Sequence, residues 1–127
     1  MDKQKIEQEF IKRLETADES VAKEALNKAD EILKKISESA DLKGFYDDVK
    51  IFFKMIKDYF DGKCDLPVRT VVAIGVALIY VLSPIDVIPD FIPIVGLLDD
   101  AFVLTLCIKF IKDDIEEYKR KCLFIVD

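Results

Sequence analysis

Asp86, Asp90, Asp99 and Asp100 are the only charged residues between Thr70 and Ile108. Ionised carboxylates are costly to strip of water. In this apolar setting each must be solvated, used as a helix cap, paired with a basic side chain, or bound to a metal ion. Carboxylates gathered without histidine suit a hard cation such as Mg2+ or Ca2+, and a cation held by all four could serve hydrolysis. The calcium-loop pattern D-x-[DN]-x-[DN]-G is absent, which weakens that reading. A structural account competes with it. Ser83-Pro84-Ile85-Asp86 has the grammar of a helix start, with serine at the cap, proline at the first turn and an acid at the third position. Asp90 follows Pro89 and could cap the next turn, while Asp99 and Asp100 fall where a helix dipole favours anions. Pro84, Pro89 and Pro93 each fix φ and stiffen the connector that carries these groups. Tyr80, just before it, could offer a hydroxyl to one of the aspartates.

The rest of the composition narrows the field. The chain has 127 residues and a net charge of −6, so the electrostatics of a nucleic-acid binder are missing. It has no histidine, which removes His-dependent catalysis and His-ligated zinc. Cys64, Cys107 and Cys122 form no C-x-x-C pair, and an odd number makes a poor disulfide framework. The expectation is three free thiols in a reducing compartment, with Cys107 a buried apolar residue. The charged N-terminus, MDKQKIEQEF, does not read as a signal peptide.

Two halves must position the aspartates. Residues 1–65 read as three amphipathic helices. Ile6, Phe10 and Leu14 make one stripe. Thr16 and Glu19 suggest a T-x-x-E capping box for a second helix, lined by Ala22, Ala25, Leu26, Ala29, Ile32, Leu33 and Ile36. Asp41 could cap a third, running to Phe60 with Gly62 past its end. In residues 66–127 a fourth helix runs from near Pro67 to Leu82, apolar nearly all round. A fifth starts near Gly96 to Leu98 and continues towards Tyr118. An apolar tail, Cys122 to Val126, docks on the core or on a partner.

A helix without a polar face is buried in protein or in lipid. The uncharged run from Thr70 to Ile85 is 16 residues, short of the roughly 20 needed to span a bilayer. Lys109 and Lys112 interrupt any return helix early. A transmembrane hairpin therefore fits poorly. Arg69, Lys109 and Lys112 nevertheless fall at one end of such a pair and the aspartates at the other, which matches the positive-inside pattern. Arg69 could instead form an ion pair with Asp65 or Asp113, or lie on a solvated first turn.

The block YVLSPIDVIPDFIPIVGLLDD, Tyr80 to Asp100, closely resembles the bacterial YkvA-like family, domain of unknown function 1232. The matching positions are Tyr80, Ser83, Pro84, Asp86, Ile88, Pro89, Asp90, Pro93, Gly96, Asp99 and Asp100, within a region of about residues 66–111. The resemblance implies a small bacterial protein often described as a membrane protein, with no agreed activity.

The expected fold is all-α, one domain of about five helices. In it, residues 1–65 cover an apolar antiparallel helix pair in 66–127. The leading functional expectation is a non-enzymatic module at a membrane surface or protein interface, with no catalytic residue assigned. It would be cytoplasmic and peripheral to the inner face of the membrane. The alternatives are a divalent-cation protein using the four aspartates and a structural homo-oligomer.

Overall fold

The apolar run after Pro67 is the helix around which the others pack. A computed structural model of the chain describes residues 3–82 and 100–123. Among them the chain is all-helical, with no strand. The order is α1 (Lys3–Thr16), α2 (Ser20–Asn27), α3 (Ala29–Glu38), a 3-10 turn (Lys43–Phe45), α4 (Tyr46–Phe60), α5 (Val68–Leu82), α6 (Asp100–Phe110), α7 (Lys112–Tyr118) and a π turn (Lys119–Leu123).

Every residue of α5 from Thr70 to Val81 is buried. Helices α1, α2, α3, α4 and α6 all pack on it. Burying each of its valine, leucine and isoleucine side chains contributes roughly 1.5–3 kcal/mol. The closest approach comes from α2. A Cβ placed on Gly75 would lie 2.7 Å from the Ala22 nitrogen and 2.8 Å from its Cα. Ala22 and Ala25 are fully buried, and their small side chains let the two backbones meet. Along α6, the Cys107 thiol lies 3.6 Å from the Ala73 carbonyl, and the Arg69 guanidinium sits 4.6 Å from the centre of the Phe110 ring. These pairings show α6 running back along α5.

Four helix boundaries differ from the sequence expectation. The long second helix is two, α2 and α3, bent at Lys28 (φ −107°, ψ 19°). The Lys28 N–H is shared between the Glu24 and Ala25 carbonyls, and its own carbonyl still accepts from Ile32, so the chain bends without opening a loop. The bend lets the alanine face of α2 lie close to α5 while the larger Ile32 and Ile36 of α3 reach the same core. Thr16 is no capping-box residue either. It ends α1, and its hydroxyl donates back to the Arg13 carbonyl at 3.2 Å. Asp18 does the work instead, its Oδ1 accepting from the Ser20 N–H at 2.9 Å and from the Ser20 hydroxyl. That pair holds the Asp18 carboxyl below the usual range.

Asp41 is exposed and α4 starts later, at Tyr46, after the 3-10 turn. Its first-turn acids are Asp47 and Asp48. Gly62 does end α4. At φ 74° it lets its own N–H reach the Tyr59 carbonyl and the Lys63 N–H reach the Asp58 carbonyl, the two bonds of a Schellman cap. The fifth predicted helix is also interrupted, at Ile111 (φ −115°, ψ 20°). Its proposed start near Gly96 to Leu98 lies outside the described residues.

Gly75→Ala should cost about 1–3 kcal/mol, because the methyl meets backbone that cannot turn away. Gly44→Ala, with nothing within 4 Å of the new methyl, is the control. Urea midpoints of the two variants check this; equal midpoints would contradict the close α2–α5 contact.

Candidate functional site

The connector aspartates divide on description. Asp86, Asp90 and Asp99 lie outside the described residues, as do the motif residues Ser83, Pro84, Ile88, Pro89, Pro93 and Gly96. Asp100 and Tyr80 are described, at the two flanks of the connector. Tyr80 is fully buried in the last turn of α5. Asp100 opens α6, mostly buried, where its charge meets the positive end of the helix dipole.

A lysine from the N-terminal half joins these flanks. Lys35 of α3 donates from Nζ to the Val81 carbonyl at 2.5 Å, and the same nitrogen is 4.0 Å from Asp100 Oδ2. The last carbonyls of a helix have no partner within it, so the ammonium answers both that need and the carboxylate. At Asp100, the one connector aspartate described, the Lys35 ammonium is a nearby positive charge. Among the described residues no group of three or more histidine, cysteine or acidic side chains is placed to hold a metal ion. Sequence reasoning missed Lys35. It lies on the polar side of an amphipathic helix, and nothing in its local pattern marks a contact 46 residues away.

A second polar cluster locks α7. The Tyr118 hydroxyl donates to Asp58 Oδ2 at 2.6 Å, with Tyr118 and Asp58 both buried. Lys54 Nζ is 3.7 Å from the same oxygen. Burial pushes the Tyr118 phenol up, and the hydrogen bond and charge of Asp58 push it further. Thr70, buried at the start of α5, donates from its hydroxyl to Asp114 Oδ2 at 2.5 Å.

Beyond α7, Cys122 is disulfide-bonded to Cys64, 58 residues earlier, with the two Cα atoms 6.0 Å apart. This overturns the expectation of three free thiols. Local spacing could not show the bond, because the fold brings the end of α7 onto the loop between α4 and α5. A signal did exist. With Cys107 assigned to an apolar core, the other two remain as a pair. Cys107 is indeed free and buried, and burial pushes its thiol up. Of the apolar tail, Cys122 and Leu123 are partly buried against the core. Phe124 to Val126 lie outside the described residues.

Arg69 is exposed on the first turn of α5, and its guanidinium lies over the Phe110 ring. Val68 and Phe110 are the large hydrophobic side chains left exposed among the described residues. Both lie at the end of the α5–α6 pair opposite Asp100. Lys109 and Lys112 are exposed beside Phe110.

A buried, uniformly apolar helix with a returning partner flanks an Asp/Pro-rich connector. The chain belongs to the family described as Protein of unknown function (DUF1232), which matches residues 70–106. It is 36% identical over 75 residues to the Uncharacterized membrane protein YkvA of Bacillus subtilis (strain 168), covering 57% of this chain and 69% of that protein. No solved structure matches. The described residues contain no helix long and apolar enough to cross a membrane.

Two outcomes follow from the polar contacts. Tyr118→Phe removes the hydrogen bond to a buried carboxylate, leaving Lys54 as its partner, and should cost about 1–3 kcal/mol. In the unmodified chain, the folded-state pKa of Tyr118 lies above its unfolded value near 10. Its contribution is therefore complete below about pH 10 and lost as pH rises further through the folded value. Urea midpoints across an alkaline series should fall more steeply for the parent than for Tyr118→Phe; parallel curves would contradict this. Lys35→Met should speed hydrogen exchange of the amides at the start of α6, whereas Lys34→Met should leave them unchanged.

Proposed function

We propose that this chain is a non-enzymatic helical module that acts at a membrane surface, with its most apolar helix kept inside the protein. The observation that carries this is the enclosure of α5. Its 15 residues make about 22 Å of helix, against a bilayer core of roughly 30 Å. Those residues already pack on the chain's own helices. In this reading α5 and α6 form an antiparallel pair about the connector, and α1 to α4 are its cover. The hydrophobicity that marks the family is then spent on the protein core, and contact with lipid is peripheral.

The end of the pair carrying Val68, Arg69, Lys109, Phe110 and Lys112 supports such contact. It combines exposed apolar side chains with cations in a chain of net charge −6. Stacked on Phe110, Arg69 can hold the ring at a headgroup boundary while its charge faces phosphate. The similarity to a protein described as a membrane protein points the same way.

Liposome flotation of the full chain tests it. Binding to vesicles containing phosphatidylglycerol is expected, weaker on neutral phosphatidylcholine and reduced at least several-fold by Phe110→Ser combined with Arg69→Glu. Failure to float on either vesicle would overturn the membrane reading and leave a protein interface as the site of action.

A further inference from the structure

Thiol chemistry at Cys64 and Cys122 is used by nothing described so far. We propose that the Cys64–Cys122 bond is an exchange site for a low-molecular-weight thiol, and that its reduction releases the C-terminal turn from the loop between α4 and α5.

The placement of the bond is the first argument. Both cysteines line a cavity of about 220 Å3 whose wall also includes Pro67, Glu117, Tyr118 and Lys121. Pro67, Glu117 and Lys121 are exposed, so the cavity opens to solvent and a small thiol can enter. Cys64 is buried and Cys122 partly so, which makes Cys122 the more open side of the bond for an incoming thiolate. Charges of both signs surround the bond: Lys63 and Asp65 flank Cys64, and Lys121, paired with Glu117, precedes Cys122. The remaining thiol, Cys107, is enclosed between α5 and α6 and takes no part.

The second argument is what the bond holds. The π turn Lys119–Leu123 is linked back to α7 by the ion pair of Lys121 with Glu117 at 2.7 Å, and among the described residues Cys122 and Leu123 tie it to the rest of the fold. One turn earlier, α7 keeps its own locks, Asp114 to Thr70 and Tyr118 to Asp58. Breaking the disulfide therefore frees the turn while α7 and the core stay in place.

The exchange balances in two steps. The thiolate attacks Cys122 Sγ, the protein S–S bond breaks, and Cys64 leaves as a thiolate that takes up a proton. A second thiol then attacks the mixed disulfide on Cys122 at the small molecule's sulfur. One oxidised small-molecule disulfide leaves, and Cys122 is released as the second thiol. Two small thiols lose two electrons in all, and the two protein sulfurs gain them with two protons.

The test titrates the oxidised full chain with reduced glutathione and follows hydrogen exchange and iodoacetamide labelling by mass. Before reduction, all three cysteines should resist labelling. After it, Cys64 and Cys122 should label, exchange should rise at least tenfold in residues 119–123, and α5 should stay protected. Cys64→Ser/Cys122→Ser should reproduce the reduced pattern without glutathione, with a melting temperature roughly 10 °C lower. Three results would each overturn the proposal. Cys64 and Cys122 could label readily in protein treated with an oxidant, so that no bond forms. Reduction could leave residues 119–123 as protected as before. Or it could unfold the chain throughout, making the bond a structural staple.

Discussion

A helix with no polar face must be covered on every side, and the fold answers to that constraint on α5. From Thr70 to Val81 nothing can face water without cost, so five other helices lie against it. The cover explains features that look unrelated in sequence. Ala22 in α2 lies opposite Gly75 because only small groups let two backbones approach so closely. The bend at Lys28 lets α2 and α3 both lie on α5, and the bend at Ile111 precedes α7, which contacts Thr70 at the start of α5 and Asp58 of α4.

Several polar groups among the described residues lie at the rim of this core and are partnered there. Thr70 at the start of α5 meets Asp114, and Val81 near its end meets Lys35. Asp58, the buried carboxylate of α4, receives Tyr118 and lies near Lys54. Each contact joins segments far apart in sequence, so the rim fixes how the cover sits while apolar burial supplies most of the stabilisation. The family match, residues 70–106, begins within the covered helix and ends within α6. Residues 3–60 supply much of the enclosure from outside that match.

Periodicity made the helical class, the apolar character of α5 and the glycine end of α4 legible. These depend on local spacing and backbone chemistry, which a sequence carries openly. The split at Lys28 was hidden because Ala22, Ala25, Ala29, Ile32 and Ile36 keep one helical phase across the bend. Lys35 and Tyr118 with Asp58 were hidden because each depends on how helices are arranged, and the Cys64–Cys122 bond was legible only by setting Cys107 aside as a core residue. Solvated surface positions use the same residue types. The aspartates stood out through charge contrast alone. Of the four, Asp100 is described beside an ammonium group, a partner that no spacing rule around it would supply.

The most direct measurement of the central claim is residue-resolved hydrogen exchange on the full chain in aqueous buffer, without detergent or lipid. Enclosure of α5 by its own protein requires the amides of Val71 to Val81 to be the slowest in the chain, exchanging only on global unfolding. Fast exchange there in buffer, slowed only when vesicles or detergent are added, would mean that lipid covers this helix, and the account would be wrong.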